Sequence, residues 1–76
     1  MNIDDFINNF AEQFDETEKS EFLQETTFRD LDEWDSMIAL SIIGMVDEEY
    51  DIELTGDEIR AANTISDLFK IVSNKK

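Results

Sequence analysis

The sequence predicts an all-α fold, a small four-helix bundle with a long loop between the first and second helices and a short third helix. Apolar residues recur at the spacing of a helix face in three separate segments. Residues that favour helix starts precede those three segments and one shorter segment. Residues 51–54 are predicted to be extended, but no strand signal competes with the helices. Because 76 residues suit one small core, we expect a single domain over residues 1–76.

The first helix is predicted from apolar residues near the N-terminus, with Asn2 as the candidate N-cap. Side chains at offsets 0, 3, 4, 7 and 11 share one face of a helix, and here all five are apolar. They are Ile3, Phe6, Ile7, Phe10 and Phe14. We interpret the phenylalanines of this face as core and not as part of a cofactor site.

The segment from Asp15 to Asp35 is predicted to be a long loop, because its apolar residues lose the helical spacing. A loop of this length in a compact domain usually has local structure or a function of its own. Phe28 is predicted to anchor it to the bundle. Trp34 is predicted to be a partly buried ring that holds the loop against the second helix.

The second helix is predicted from about Ser36 to Tyr50, with Asp35 and Ser36 as candidate caps and the Ser36 hydroxyl exposed at the helix start. Its predicted buried face comprises Ala39, Ile42, Ile43, Val46 and Tyr50, and its solvent face Met37, Ser41, Gly44 and Glu48. Glycine inside a helix costs about 1 kcal/mol relative to alanine. Gly44 is therefore either a point of close approach for a backbone or acyl chain, or a tolerated glycine.

Two further helices are predicted from their caps. Thr55 and Glu58 have the spacing of a capping box and open a short helix that ends near Ala62. Thr64 and Asp67 repeat that spacing before a fourth apolar-periodic segment. The predicted core comprises Phe6, Phe10, Phe14, Phe28, Ile42, Val46, Ile52, Ile59, Ile65, Leu68 and Phe69.

The composition argues against catalysis by the chain itself. There is no cysteine and no histidine, so thiolate chemistry, disulfides and the commonest general base are absent. We therefore expect that the protein is not an enzyme. Residues 51–62 partly match a calcium-binding loop, but Ala62 stands where a bidentate glutamate is required. No metal site is assigned, and loose divalent binding by the acidic residues stays open.

The net charge of −14 is the strongest compositional signal. It disfavours nucleic acid as a partner, because phosphate backbones repel an acidic surface. The charge fits either partners with basic patches or a surface that keeps a small protein soluble. With no apolar run of membrane-span length and no basic N-terminal segment, we expect a cytoplasmic monomer without a membrane span.

The stretch Asp35-Ser36-Met37 resembles the Asp-Ser-Leu signature of acyl carrier proteins and peptidyl carrier domains. Residues 28–34 resemble the lead-in loop of that family, residues 47–52 its acidic turn, and residues 63–68 the start of its last helix. The resemblance covers nearly the whole chain and implies an acyl-carrier-like domain. A short free-standing chain is similar to the discrete type II carriers, which serve separate enzymes.

The resemblance implies that Ser36, flanked by Asp35 and Met37, carries 4′-phosphopantetheine donated by coenzyme A. A phosphopantetheinyl transferase (holo-carrier synthase) would attach it. The cargo would be acyl, aminoacyl or polyketide thioesters in fatty acid or secondary-metabolite biosynthesis. Partners would be acyl-loading and acyl-processing enzymes with basic docking patches. The alternative is an acidic helical interaction module that binds a basic protein and carries no group.

One departure from the family concerns the docking face. Fatty-acid carriers typically have acidic residues early in the second helix, where this chain has Ile38 and Ser41. Partners are therefore expected to meet this end through apolar and close backbone contacts, while the acidic far end of the helix steers encounter. The predicted partner-binding residues are Met37, Ile38, Ser41, Gly44, Asp47 and Glu48. In the alternative interpretation, Ile38 packs against the loop.

Overall fold

The computed structural model describes residues 2–75, so the predicted domain limits at residues 1 and 76 lie outside the described residues. Its helices are α1 (Ile3–Ala11), α2 (Ser36–Tyr50), α3 (Gly56–Ala61) and α4 (Ile65–Asn74). The all-α class, the long α1–α2 loop and the short third helix are confirmed. Within residues 2–75 there is no strand, only an isolated bridge between Thr27 and Thr64.

Each of these helices begins at a side-chain cap that was predicted from the sequence. Asn2 accepts hydrogen bonds from backbone N–H groups in the first turn of α1. Thr55 and Thr64 each form a reciprocal capping box with the acidic residue three positions later. Of the two candidates before α2, Asp35 is the cap and Ser36 is the first helical residue.

The core within residues 2–75 consists of apolar side chains only. Ten of the eleven predicted core residues are buried. The exception is Phe69, which lies half-buried at the margin of the core. Its ring is edge-on to that of Phe6, with 5.5 Å between the centroids. The core also contains residues that the prediction omitted: Ala11, Phe22, Met45, Leu54, Ala62 and Val72.

Two details of the predicted helix faces are wrong. Helix α1 ends at Ala11, and Phe14 enters the core from the turn that follows. The buried face of α2 contains Ile42, Met45 and Val46, whereas the predicted Ala39, Ile43 and Tyr50 are only half-buried. The face is therefore rotated towards Met45, which lines a cleft together with Asn9 of α1.

The loop between α1 and α2 is ordered by short 3₁₀ turns at Lys19–Glu21 and Phe28–Asp30 and by aromatic packing. Phe28 is fully buried, with its ring centroid 5.7 Å from that of Phe10, so its predicted anchoring role is confirmed. Trp34 is half-buried, as predicted. Its indole contacts the rings of Phe10, Phe14 and Phe28, at centroid distances of 6.4, 6.3 and 4.9 Å.

Candidate functional site

Ser36 lies exposed at the first position of α2. The preceding residue, Asp35, has an extended backbone, and its carboxylate accepts the N–H of Ile38 at 2.9 Å. Because Asp35 performs the capping, the helix does not need the Ser36 hydroxyl. That hydroxyl has no hydrogen-bond partner among residues 2–75 and is free to react.

The start of α2 differs electrostatically from the other helix starts. Of the N–H groups in the first turn, that of Ile38 is capped, so those of Ser36 and Met37 have no partner within the helix. Helices α1, α3 and α4 have acidic residues in the first turn, and α2 has none. Within the cap and first turn of α2, Asp35 is thus the single acidic residue that faces the positive end of the helix dipole.

Ser36 borders a groove of about 360 Å³ between α2 and α3. Its lining combines apolar side chains with the only two arginines of the chain. The lining residues are Arg29, Trp34, Asp35, Ser36, Ala39, Gly56, Ile59 and Arg60. An accessible hydroxyl thus adjoins both an apolar surface and positive charge, in a molecule whose net charge is −14.

Arg29 joins the loop before Ser36 to the end of α3. Its guanidinium donates to the carbonyl oxygens of Ile59, at 3.1 Å, and of Ala62, and to the side-chain oxygen of Asn63, at 2.7 Å. The guanidinium also lies over the Phe28 ring, 5.4 Å from its centroid. Positive charge at a helix C-terminus is favourable, so Arg29 holds α3 beside Ser36.

Glu33 fixes the other side of the same loop. Its carboxylate accepts the N–H groups of Asp15, Glu16 and Thr17, at 2.6, 3.0 and 2.9 Å, and the Thr17 hydroxyl at 2.7 Å. The hydrogen bond from the Thr17 side chain, followed by those from the backbone, lowers the pKa of Glu33 to about 2. The residues just before Ser36 are thereby tied to the first part of the loop that follows α1.

Sequence reasoning missed both ties. The partners of Glu33 lie 16 to 18 positions away, and those of Arg29 lie 30 to 34 positions away. No local pattern reports such pairs. The one available signal was Arg29 itself, a basic residue in a strongly acidic segment.

The structure brings several predicted partner-binding residues onto one exposed face of α2. Met37 is 71% exposed, and Ser41 and Gly44 are also exposed. Ile38 is half-buried and packs against the core, not specifically against the loop as the alternative interpretation has it. The apolar neighbour of Met37 on this face is instead Leu40, which is 63% exposed and which the prediction omitted. The acidic residues Asp47 and Glu48 are exposed further along the helix.

Gly44 makes no close approach to another part of the chain. Apart from its chain neighbours and the nearby backbone of α2, a Cβ built at this position would have no atom within 4 Å. Within the chain it is therefore a tolerated helical glycine. Among residues 2–75, no group of three acidic side chains is arranged to hold a metal ion.

No protein-family model, curated protein or solved structure matches this chain. In addition, none of the helices in residues 2–75 is long and apolar enough to cross a membrane.

The residues at Ser36 fit a phosphate-linked group. The free hydroxyl can form the ester, the unpaired N–H groups of the first turn can face an anion, and the groove offers apolar walls and positive charge.

Proposed function

We propose that the protein is a carrier of the acyl carrier type, modified with 4′-phosphopantetheine on Ser36. The observation that carries the proposal is the free, exposed Ser36 hydroxyl at the start of α2, beside the groove between α2 and α3. The sequence resemblance around Asp35, Ser36 and Met37 supports the same assignment. When attached, the group supplies a terminal thiol, which the chain itself lacks, to carry acyl groups as thioesters.

Attachment requires one bond to form at Ser36. The Ser36 oxygen loses its proton and bonds to the coenzyme A phosphorus that bears the pantetheine. The bond from that phosphorus to the bridging pyrophosphate oxygen breaks, and adenosine 3′,5′-bisphosphate leaves. The Asp35 carboxylate beside Ser36 is engaged as the helix cap, so we assign proton acceptance and binding of the leaving group to a phosphopantetheinyl transferase.

The residues around Ser36 then hold the attachment point in place. The Asp35 cap fixes the direction in which α2 starts, and Arg29 and Glu33 fix the loop that leads into it. The N–H groups of Ser36 and Met37, which have no partner within the helix, would be available to a phosphodiester anion at the start of α2. A rigid anchor with a mobile arm allows separate enzymes to reach the same thioester.

The proposed partners are separate acyl-, aminoacyl- or polyketide-processing enzymes of fatty acid or secondary-metabolite biosynthesis, and the proposed location is the cytoplasm. The chain itself would be a substrate and not a catalyst. Met37 and Leu40, with Ser41 and Gly44 beside them, form an exposed apolar and small-residue face on α2. Acidic residues such as Glu48 would attract basic docking patches to that helix.

Mass spectrometry after incubation with coenzyme A, magnesium and a phosphopantetheinyl transferase tests the proposal. We expect the wild type to gain one phosphopantetheine, because the Ser36 hydroxyl is accessible and unpaired. Ser36→Ala should stay folded and gain nothing. Ser41→Ala, a matched exposed serine on the same helix, should be modified like the wild type.

Two results would contradict the assignment. The first is added mass on Ser36→Ala, or peptide mapping of the group to Ser41 or Ser66. The second is an unmodified wild type under conditions in which the transferase modifies a known carrier. That second result would support the other candidate, an acidic helical module that binds a basic partner through the exposed Met37 and Leu40 and carries no group.

A further inference from the structure

We propose that Arg60 is the counter-ion of the phosphodiester on Ser36, and that it leaves Asp57 to pair with this phosphodiester when the chain is modified. The inference rests on the proposed function and adds a named residue to it. The chain has 20 acidic and 6 basic residues. Nevertheless, both of its arginines line the groove that Ser36 borders.

Arg29 is not available for this role. Its guanidinium already donates to three backbone carbonyl oxygens at the end of α3 and to the Asn63 side chain. Moving it would break those hydrogen bonds and release α3 from the loop. The other arginine is therefore the candidate.

Arg60 is held by one weak partner. Its guanidinium pairs with Asp57, three residues earlier on α3, and the two side chains are 72% and 89% exposed. Ion pairs with this much exposure contribute little to stability, because water screens both charges. Exchanging Asp57 for another anion therefore costs little, and the released Asp57 carboxylate would be solvated.

The guanidinium already lies at the groove. A Cβ built on Gly56 would be 3.6 Å from one terminal nitrogen of Arg60, and Gly56 lines the same groove as Ser36. Since Gly56 has no side chain, nothing at this position separates the guanidinium from the groove. A phosphodiester presents two unesterified oxygens, which match the paired donors of an arginine.

Charge gives the exchange its driving force. Modification adds a negative charge to a chain whose net charge is already −14, next to the carboxylate of Asp35. Arg60 is the cation at this groove that no buried or backbone partner holds. Pairing it with the phosphodiester relieves the new repulsion where it arises.

The test compares unmodified and modified forms of the wild type, Arg60→Gln, Arg60→Lys and Lys70→Gln. Lys70→Gln is the matched control, since it removes one exposed positive charge from α4, away from the groove. We expect the ³¹P resonance of the phosphodiester to shift in Arg60→Gln and not in Lys70→Gln. We also expect the Arg60 Nε–H resonance of the wild type to shift on modification. The melting temperature should fall more on modification in Arg60→Gln than in the wild type.

The proposal is overturned if the modified Arg60→Gln and wild-type proteins have the same ³¹P resonance and the Arg60 Nε–H resonance does not respond to modification. If the transferase does not accept Arg60→Gln, the Nε–H resonance of the modified wild type and the ³¹P resonance of Arg60→Lys decide the question. A wild type that gains no mass has no ³¹P resonance to compare and refutes the proposed function. A wild type that gains the mass without these shifts refutes only the role of Arg60.

Discussion

At the scale of single residues, two charged side chains hold the segment before Ser36 by accepting or donating several hydrogen bonds each. Glu33 accepts three backbone N–H groups and one hydroxyl, and Arg29 donates to the last carbonyls of α3. Hydrogen bonds to charged groups are stronger than those between neutral groups. These hydrogen bonds therefore fix the loop at both sides.

The lowered pKa of Glu33 predicts a pH-dependent contribution to stability. Between its ordinary pKa of 4.5 and its folded value of about 2, the unfolded chain binds more protons, so the stability that Glu33 provides is lost as the pH falls. Glu33→Gln should lower the melting temperature at neutral pH, and this deficit should shrink between about pH 5 and about pH 2. Circular dichroism melts over this range measure it.

Glu18→Gln is the control for this prediction, because Glu18 is exposed and its substitution removes the same charge from the same loop. The comparison corrects for the general benefit of removing one negative charge from an acidic protein. A deficit of Glu33→Gln relative to this control that stays constant with pH would show that the carboxylate is not held as described.

At the scale of elements, the sequence predicted the helices well because their start signals are local. The caps Asn2, Thr55 and Thr64 act on residues within one turn, so their spacing is visible in the chain. The position of Ser36 could be predicted for the same reason.

The groove beside Ser36 could not be predicted from the sequence. The groove forms only because α3 packs beside α2. Arg60, which lines it, lies 24 positions after Ser36 in the sequence. The observed buried face of α2 differs from the predicted one for a related reason. Whether Met45 or Ile43 is buried depends on how the other elements pack around α2, and periodicity alone does not contain that information.

A substitution at Gly44 tests whether α2 has open space at that position. Gly44→Ala should raise the free energy of unfolding by about 1 kcal/mol, because the added methyl group enters open space and alanine favours the helix. This corresponds to an increase of about 4–8 °C in melting temperature for a domain of this size. Gly56→Ala is the matched control, with a smaller expected gain at the first position of α3, where a Cβ would touch Arg60. An unchanged or lower melting temperature for Gly44→Ala would mean that α2 needs the glycine for its shape.

At the scale of the whole molecule, an apolar core supports a surface with little charge compensation. No polar or charged side chain is buried among residues 2–75. In the same residues the ion pairs are Arg60–Asp57 and Lys75–Glu58. Most of the 20 acidic side chains therefore repel one another in a body with a radius of gyration of 11.0 Å.

This imbalance predicts that salt stabilises the fold. Sodium chloride should raise the melting temperature by screening the carboxylates, and magnesium should act at lower concentration because each ion carries two charges. Scanning calorimetry across the two titrations, with choline chloride as a second monovalent salt, measures the effect. A melting temperature that stays flat or falls with added salt would show that the carboxylates are already compensated.

The position of Trp34 makes its intrinsic fluorescence a probe of the groove beside Ser36. It is the only tryptophan, its indole lies against the rings of Phe28 and Phe10, and it lines the groove that Ser36 borders. Neither the phenylalanines nor Tyr50 absorb appreciably at the red edge of tryptophan excitation, so emission excited there arises from Trp34. Its intensity and wavelength should therefore follow events at Ser36 in real time, without an attached dye or a change to the sequence.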